Sequence, residues 1–225
     1  MNVHPASERD DLSGFQAPCP RARGWIHRVS FLVAVPAGVV LLAVARTWGT
    51  RLAVGVYAIT LAVMFWVSST YHRGSWPFET WVRWQRRDHA AIFLLIAGSY
   101  TPYCVLVLED AWGPAMLAVT WIGAAAGILV KLYRIDLHVV SGVMYLGLGW
   151  VGVVVFPQFV RVLTPAELIL TVAGGVLFTA GALVLALHRP NPFPRTFGYH
   201  EVWHAATAGA AACHYVAVLL ILINA

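Results

Sequence analysis

The residues whose types and spacing suggest chemistry lie in the run His200-Glu201-Val202-Trp203-His204. Two histidines four apart on an α-helix differ by about 40° of rotation and about 6 Å of rise, so both side chains leave the same face. Two imidazoles placed this way can reach one metal ion, at about 2.0–2.1 Å if it is zinc. A lone His-x-x-x-His is also what two interfacial histidines making ordinary hydrogen bonds would look like. The weight of the motif depends on what other elements bring beside it.

Those elements are membrane spans. The 225-residue chain is 60% hydrophobic and only 11% charged, whereas a soluble domain carries about 25% charged residues. Apolar stretches of about 20 residues, the length that crosses a bilayer, run over about 25–45, 52–72, 88–108, 112–130, 138–156, 165–187 and 199–223. The reading is therefore an all-α polytopic membrane protein, a seven-transmembrane-helix bundle over 25–225. Residues 1–24 form a polar N-terminal tail with no apolar signal core. Pro36 is expected to kink the first span. Thr164-Pro165 reads as a helix start, and Gly98-Ser99-Tyr100-Thr101-Pro102 as a place to bend. Residues 73–87 interleave Trp76, Phe78, Trp81 and Trp84 with arginines, which suits a helix or loop in the headgroup layer. Three cysteines without a CxxC spacing give neither a disulfide framework nor a thiolate metal site.

Charge sets the orientation. Twelve of the fifteen Lys and Arg residues fall in the tail and in the connections after the second, fourth and sixth spans; Arg46, Arg51 and Arg161 fall on the other side. The positive-inside rule puts the N-terminus in the cytoplasm and the C-terminus outside. The same pattern accounts for the net charge of +5 without nucleic acid as a partner.

This topology gathers the chemistry. Ser68 and His72 close the second span, Asp88 opens the third, and His200 and His204 open the seventh, so all five lie at the cytoplasmic end at similar depth. Ionisable groups at membrane depth are expensive unless paired or functional. Three neutral imidazoles with an open fourth position make a catalytic-type zinc site whose water ionises near neutral pH. Asp88 would hold or deprotonate that water or fix an imidazole, and Ser68, one turn before His72, would hydrogen-bond the water or a substrate oxygen. Each residue also has an ordinary role: Asp88 as a helix cap, Ser68 as a small packing residue, His72 as an interfacial histidine. Their convergence favours the metal. His138 is the reserve ligand. His27 and His188 read as span-end histidines, and His214 as an interhelical hydrogen-bond partner. An oxygen-poor ligand set excludes calcium and magnesium.

With Ser68-x3-His72, Arg87-Asp88-His89, Gly98-Ser99-Tyr100-Thr101-Pro102 and the His200 to His204 run together, the chain resembles the hemolysin III family, the bacterial branch of the adiponectin and progestin receptor-like membrane proteins. The resemblance covers nearly the whole chain from about residue 25. It implies a seven-helix bundle with an intracellular N-terminus, and zinc held by three histidines that match His72, His200 and His204. Ser68 and Asp88 match the family's serine and aspartate near the metal. Relatives in the wider superfamily resemble metal-dependent lipid amide hydrolases with ceramide-like substrates. Ser69 and Thr70 are more polar than the family pattern.

The expected function is a zinc-dependent hydrolase of lipid amide or ester bonds in the cell membrane, acting in membrane lipid homeostasis. The alternative is a non-catalytic lipid sensor or receptor with structural zinc. A pore-forming haemolysin fits poorly, since seven spans with short loops describe a resident membrane protein. An intramembrane zinc protease with Glu201 as base is suggested by His-Glu-x-x-His, but downstream of His204 only Cys213, deep in the span, offers a metal-ligating side chain other than His214.

Overall fold

A computed structural model describes residues 20–224, and the expectations for residues 1–19 of the tail lie outside it. Among the described residues, eight α-helices make seven membrane-length spans. They are α1 Trp25–Val44, α2 Trp48–Arg73, α3 Phe78–Leu106, α4 Trp112–Tyr133, α5 His138–Trp150, α6 Phe156–Val162, α7 Pro165–Leu187 and α8 Tyr199–Asn224. The fifth span joins α5 to α6 through a 3-10 turn, Val151–Val155, and reaches Val162. Among the described residues the only β pairing is one isolated bridge between Phe193 and Phe197.

Helices adjacent in sequence pack side by side from α1 to α4, and α7 packs on α8. α1 also packs on α8, so the first and last helices are neighbours. Core residues come chiefly from α2, α3 and α8, including Tyr57, Phe65, Leu95, Ala217 and Val218. The opposite faces of α1, α5 and α7 expose Val29, Leu32, Val39, Val143, Ile169 and Leu183. Large apolar side chains pointing outward along whole spans are what lipid tails cover.

Small residues set how closely the helices approach. A methyl added at Gly98 would lie 1.9 Å from the Thr60 hydroxyl, so α2 and α3 touch there through the missing side chain. The motif around it serves packing, and α3 stays helical through Pro102. Tyr100 donates its hydroxyl to Gly149 O at 2.6 Å and accepts Gly152 N–H at 3.0 Å, tying α3 to the break after α5. Trp121 of α4 donates to Thr101 at 3.2 Å. Pro36 likewise lies inside α1 without ending it.

The structure defines the segment before the third span and the end of the tail. The aromatic and arginine-rich segment is helical from Phe78 and continuous with the third span. Asp88 therefore sits ten residues inside α3, where it cannot be an N-cap. Residues 20–24 are docked: Arg21 and Ala22 donate their backbone N–H groups to Arg195 O and Thr196 O, and Gly24 fits against His72 and Arg73 with φ of 74°. A side chain at Gly24 would meet both the left-handed backbone and the end of α2. Thr164 caps α7 as the Thr-Pro sequence predicts, with Glu167 completing the capping box.

Candidate metal centre

Two helix ends bring the three histidines together. α2 runs to Arg73, so His72 stands in its last turn. α8 begins at Tyr199, and its first turn is built by side chains. Glu201 Oε2 accepts Gly198 N–H at 2.8 Å, the reciprocal half of a capping box. Asn191 Oδ1 accepts Tyr199 N–H at 3.2 Å. The other Glu201 oxygen pairs with the Arg23 guanidinium. Glu201 is fully buried, and with both oxygens engaged it fixes the turn that carries His200 and His204. That arrangement leaves no free carboxylate for the general-base role suggested by the letters His-Glu-x-x-His.

His72, His200 and His204 each offer one ring nitrogen, and the three lie within 4.8 Å of one another. The Nε2 atoms of His72 and His200 are 3.3 Å apart. Two nitrogens about 2.05 Å from a tetrahedral zinc would be roughly 3.4 Å apart, so this pair has the span of two ligands on one ion. The rings meet at steep angles, 74° for His72 with His200 and 76° for His200 with His204, at centroid distances of 4.7 Å. His204 Nδ1 is buried and has no hydrogen-bond partner. Three neutral nitrogen donors crowded at one point, in a nearly dry surround, fit a zinc ion. Two imidazoles can share one proton, but the third makes the cluster hard to satisfy by hydrogen bonding alone.

The Asp88 carboxylate lies 3.9 Å from His72 Nε2, is 9% exposed and is outside the group of three. Ser68, one turn before His72, is buried and faces the same cavity as that carboxylate. Ser68, Asp88 and His204 line one small cavity with His27 and Thr207, walled on the apolar side by Ile92, Leu95 and Phe178. Its volume of about 30 Å³ is room for one or two waters, and too little for an acyl group.

All five residues singled out in the sequence thus meet at one end of the bundle. His138 does not join them; its ring lies 6.4 Å from that of His89. His214 packs on Gly174 and Phe178, and its Nδ1 makes no hydrogen bond. His27 is the residue that spacing did not find. It stacks on His204 from α1 with ring centroids 3.8 Å apart, across 177 residues of chain, and no periodicity links the two.

Comparison with known proteins adds the lineage. The chain matches the family described as Haemolysin-III related over residues 15–215. It belongs to the hemolysin III family. Similar proteins include Hemolysin-3 of Bacillus cereus, 30% identical over 197 residues that span 86% of this chain and 87% of the relative. The Hemolysin-3 homolog of Bacillus subtilis (strain 168) is 26% identical over 86% of this chain and 89% of its own length. The human Monocyte to macrophage differentiation factor is 26% identical over 88% of this chain and 82% of its own length. Membership of this family and seven apolar helices together describe a multi-pass membrane protein.

Proposed function

We propose that this member of the hemolysin III family is a zinc-dependent hydrolase of a lipid amide or ester bond in the cell membrane. One observation carries the reading: His72, His200 and His204 converge within 4.8 Å beside a buried carboxylate and a hydroxyl. These three histidines would hold the zinc, which when bound polarises a carbonyl oxygen and makes a water more acidic. The other side chains suit the remaining work of hydrolysis. Asp88, 3.9 Å from His72, takes the proton of a water whose oxygen adds to the carbonyl carbon. It returns that proton to the departing nitrogen or oxygen as the C–N or C–O bond breaks. Ser68 orients the carboxylate. The apolar wall excludes bulk water, which strengthens each polar contact in the cavity. The charge distribution favours a site that faces the cytoplasm, and the membrane proposed is the plasma membrane. A bilayer lipid, entering between helices, is the substrate.

A second reading has its own support. The cavity of about 30 Å³ favours a non-catalytic lipid sensor in which zinc is structural and closed to substrate. The deciding experiment has two stages. Elemental analysis of detergent-purified protein should give one zinc per chain in the wild type and none in His72→Ala or His204→Ala. Zinc retained in both variants, or absent from the wild type, rejects the metal centre. Ceramide and phospholipid turnover is then measured for wild type and Asp88→Asn. Turnover that needs both zinc and Asp88 supports the hydrolase; zinc binding with no turnover of any lipid amide or ester supports the sensor.

A further inference from the structure

The metal reading uses five side chains and leaves a sixth without a role. His27 of α1 is 2% exposed. One face of its ring lies nearly parallel to His204, at 3.8 Å between centroids and 21° between planes. Phe65 meets it edge-on at 5.2 Å. Both His27 nitrogens are buried and neither has a hydrogen-bond partner. The His204 backbone carbonyl is near but outside bonding geometry.

A neutral imidazole always carries one N–H donor and one lone pair, and burying both unbonded is unfavourable. Phenylalanine would fill the same place and stack on His204 without that penalty. An imidazole here therefore serves something polar that shares its surroundings. The surroundings are the small cavity beside His204, whose other polar walls are Ser68, Asp88 and Thr207. Thr207 already donates its hydroxyl to Trp203 O, whereas His27 brings a donor and an acceptor that no protein group engages.

We infer that His27 is a fourth, non-ligating histidine of the centre: its ring fixes the plane of His204, and its nitrogens hydrogen-bond the oxygen that occupies the cavity between it and Asp88. The oxygen is that of a water; nothing larger fits the volume of about 30 Å³. His27 is thus a positioning residue toward His204 and a contact residue toward the cavity's occupant. The inference rests on the metal-centre reading.

Two substitutions separate the halves of this role. His27→Phe keeps the ring and removes the nitrogens; His27→Gln keeps a donor and an acceptor and removes the ring. Each is compared with wild type and with Val39→Ala, an exposed position on the same helix. The probe is Co2+ titrated into metal-free protein in detergent, read as dissociation constant and as the visible ligand-field band, which reports coordination geometry. The thermal midpoint of each metal-free protein shows that it is folded. His27→Gln should weaken Co2+ about 10-fold, as loss of outer support for a ligand does. His27→Phe should keep near wild-type affinity but shift the band, because the environment of the fourth position has changed. A His27→Gln variant with wild-type affinity overturns the stacking role, and a His27→Phe variant with a wild-type band overturns the role of the nitrogens. A wild type that binds no Co2+ overturns the metal centre itself and His27's place in it. A wild type that binds while both variants match it overturns only the inference.

Discussion

Replacing Arg23 with alanine would strand the Glu201 carboxylate. Glu201 is 0% exposed while the Arg23 side chain is 19% exposed, and Gly198 N–H is the other partner of the carboxylate. Removing one member of a buried ion pair costs about 3–5 kcal/mol, because the other charge stays buried and uncompensated. Partial exposure of the arginine lets water reach the gap, which places the expectation near the lower end, at about 3 kcal/mol. In a protein of this length about 3 kcal/mol corresponds to a fall of roughly 6–12 °C in thermal midpoint. The assay is tryptophan fluorescence of detergent-purified protein against temperature. Adding Glu201→Gln to Arg23→Ala removes the stranded charge while keeping a side-chain acceptor for Gly198 N–H, so the double variant should recover part of the loss. An Arg23→Ala midpoint within about 1 °C of wild type would refute the reasoning. So would a double variant less stable than Arg23→Ala alone, since relief of a stranded charge could not produce that order.

Other predictions concern packing and the metal. Gly98→Ala places a methyl 1.9 Å from the Thr60 hydroxyl and should destabilise by about 1–3 kcal/mol, with partial recovery in Thr60→Ala, read by thermal unfolding. Tyr100→Phe removes two hydrogen bonds at the break after α5 and should cost about 1 kcal/mol, seen as faster amide exchange at residues 149–152. Zinc at about 100 times its dissociation constant adds about 2.7 kcal/mol; chelation should therefore lower the wild-type midpoint by roughly 5–10 °C and leave His72→Ala unmoved. An equal response of His72→Ala to chelator would place the stabilising metal elsewhere.

The spans were legible because each is a run of apolar residues long enough to cross a bilayer, a signal that survives without knowledge of packing. The meeting of these residues was legible because His200 and His204 share a helix face and the span count carries His72 and Asp88 to the same end. What escaped depends on contacts between distant segments. The third span begins at Phe78 although residues 78–87 are too polar to read as a span, since a helix propagates into the interface once the apolar part is formed. The fifth span continues past Pro157 because a 3-10 turn ends just before α6, where a proline in the first turn is tolerated. Glu201 reads in sequence as half of a protease motif, and only the pairing with Arg23, 178 residues away, gives it a structural task. His27 looks in sequence like His188, another histidine at a span end, until its ring is seen against His204.

The placement of α1 between α2 and α8 also governs when the centre comes into being. His72 and His200 are separated by 128 residues, which a ribosome takes roughly 6–26 s to add. Throughout that interval His72 and His27 exist while their partners on α8 are unsynthesised. Only insertion of the last helix next to the first completes the site. A chain cut short before α8 lacks two of the three clustered histidines, so under the proposed function metal capture would mark a finished protein, and a quality-control system able to sense the vacant histidines would have a chemical sign of arrested assembly.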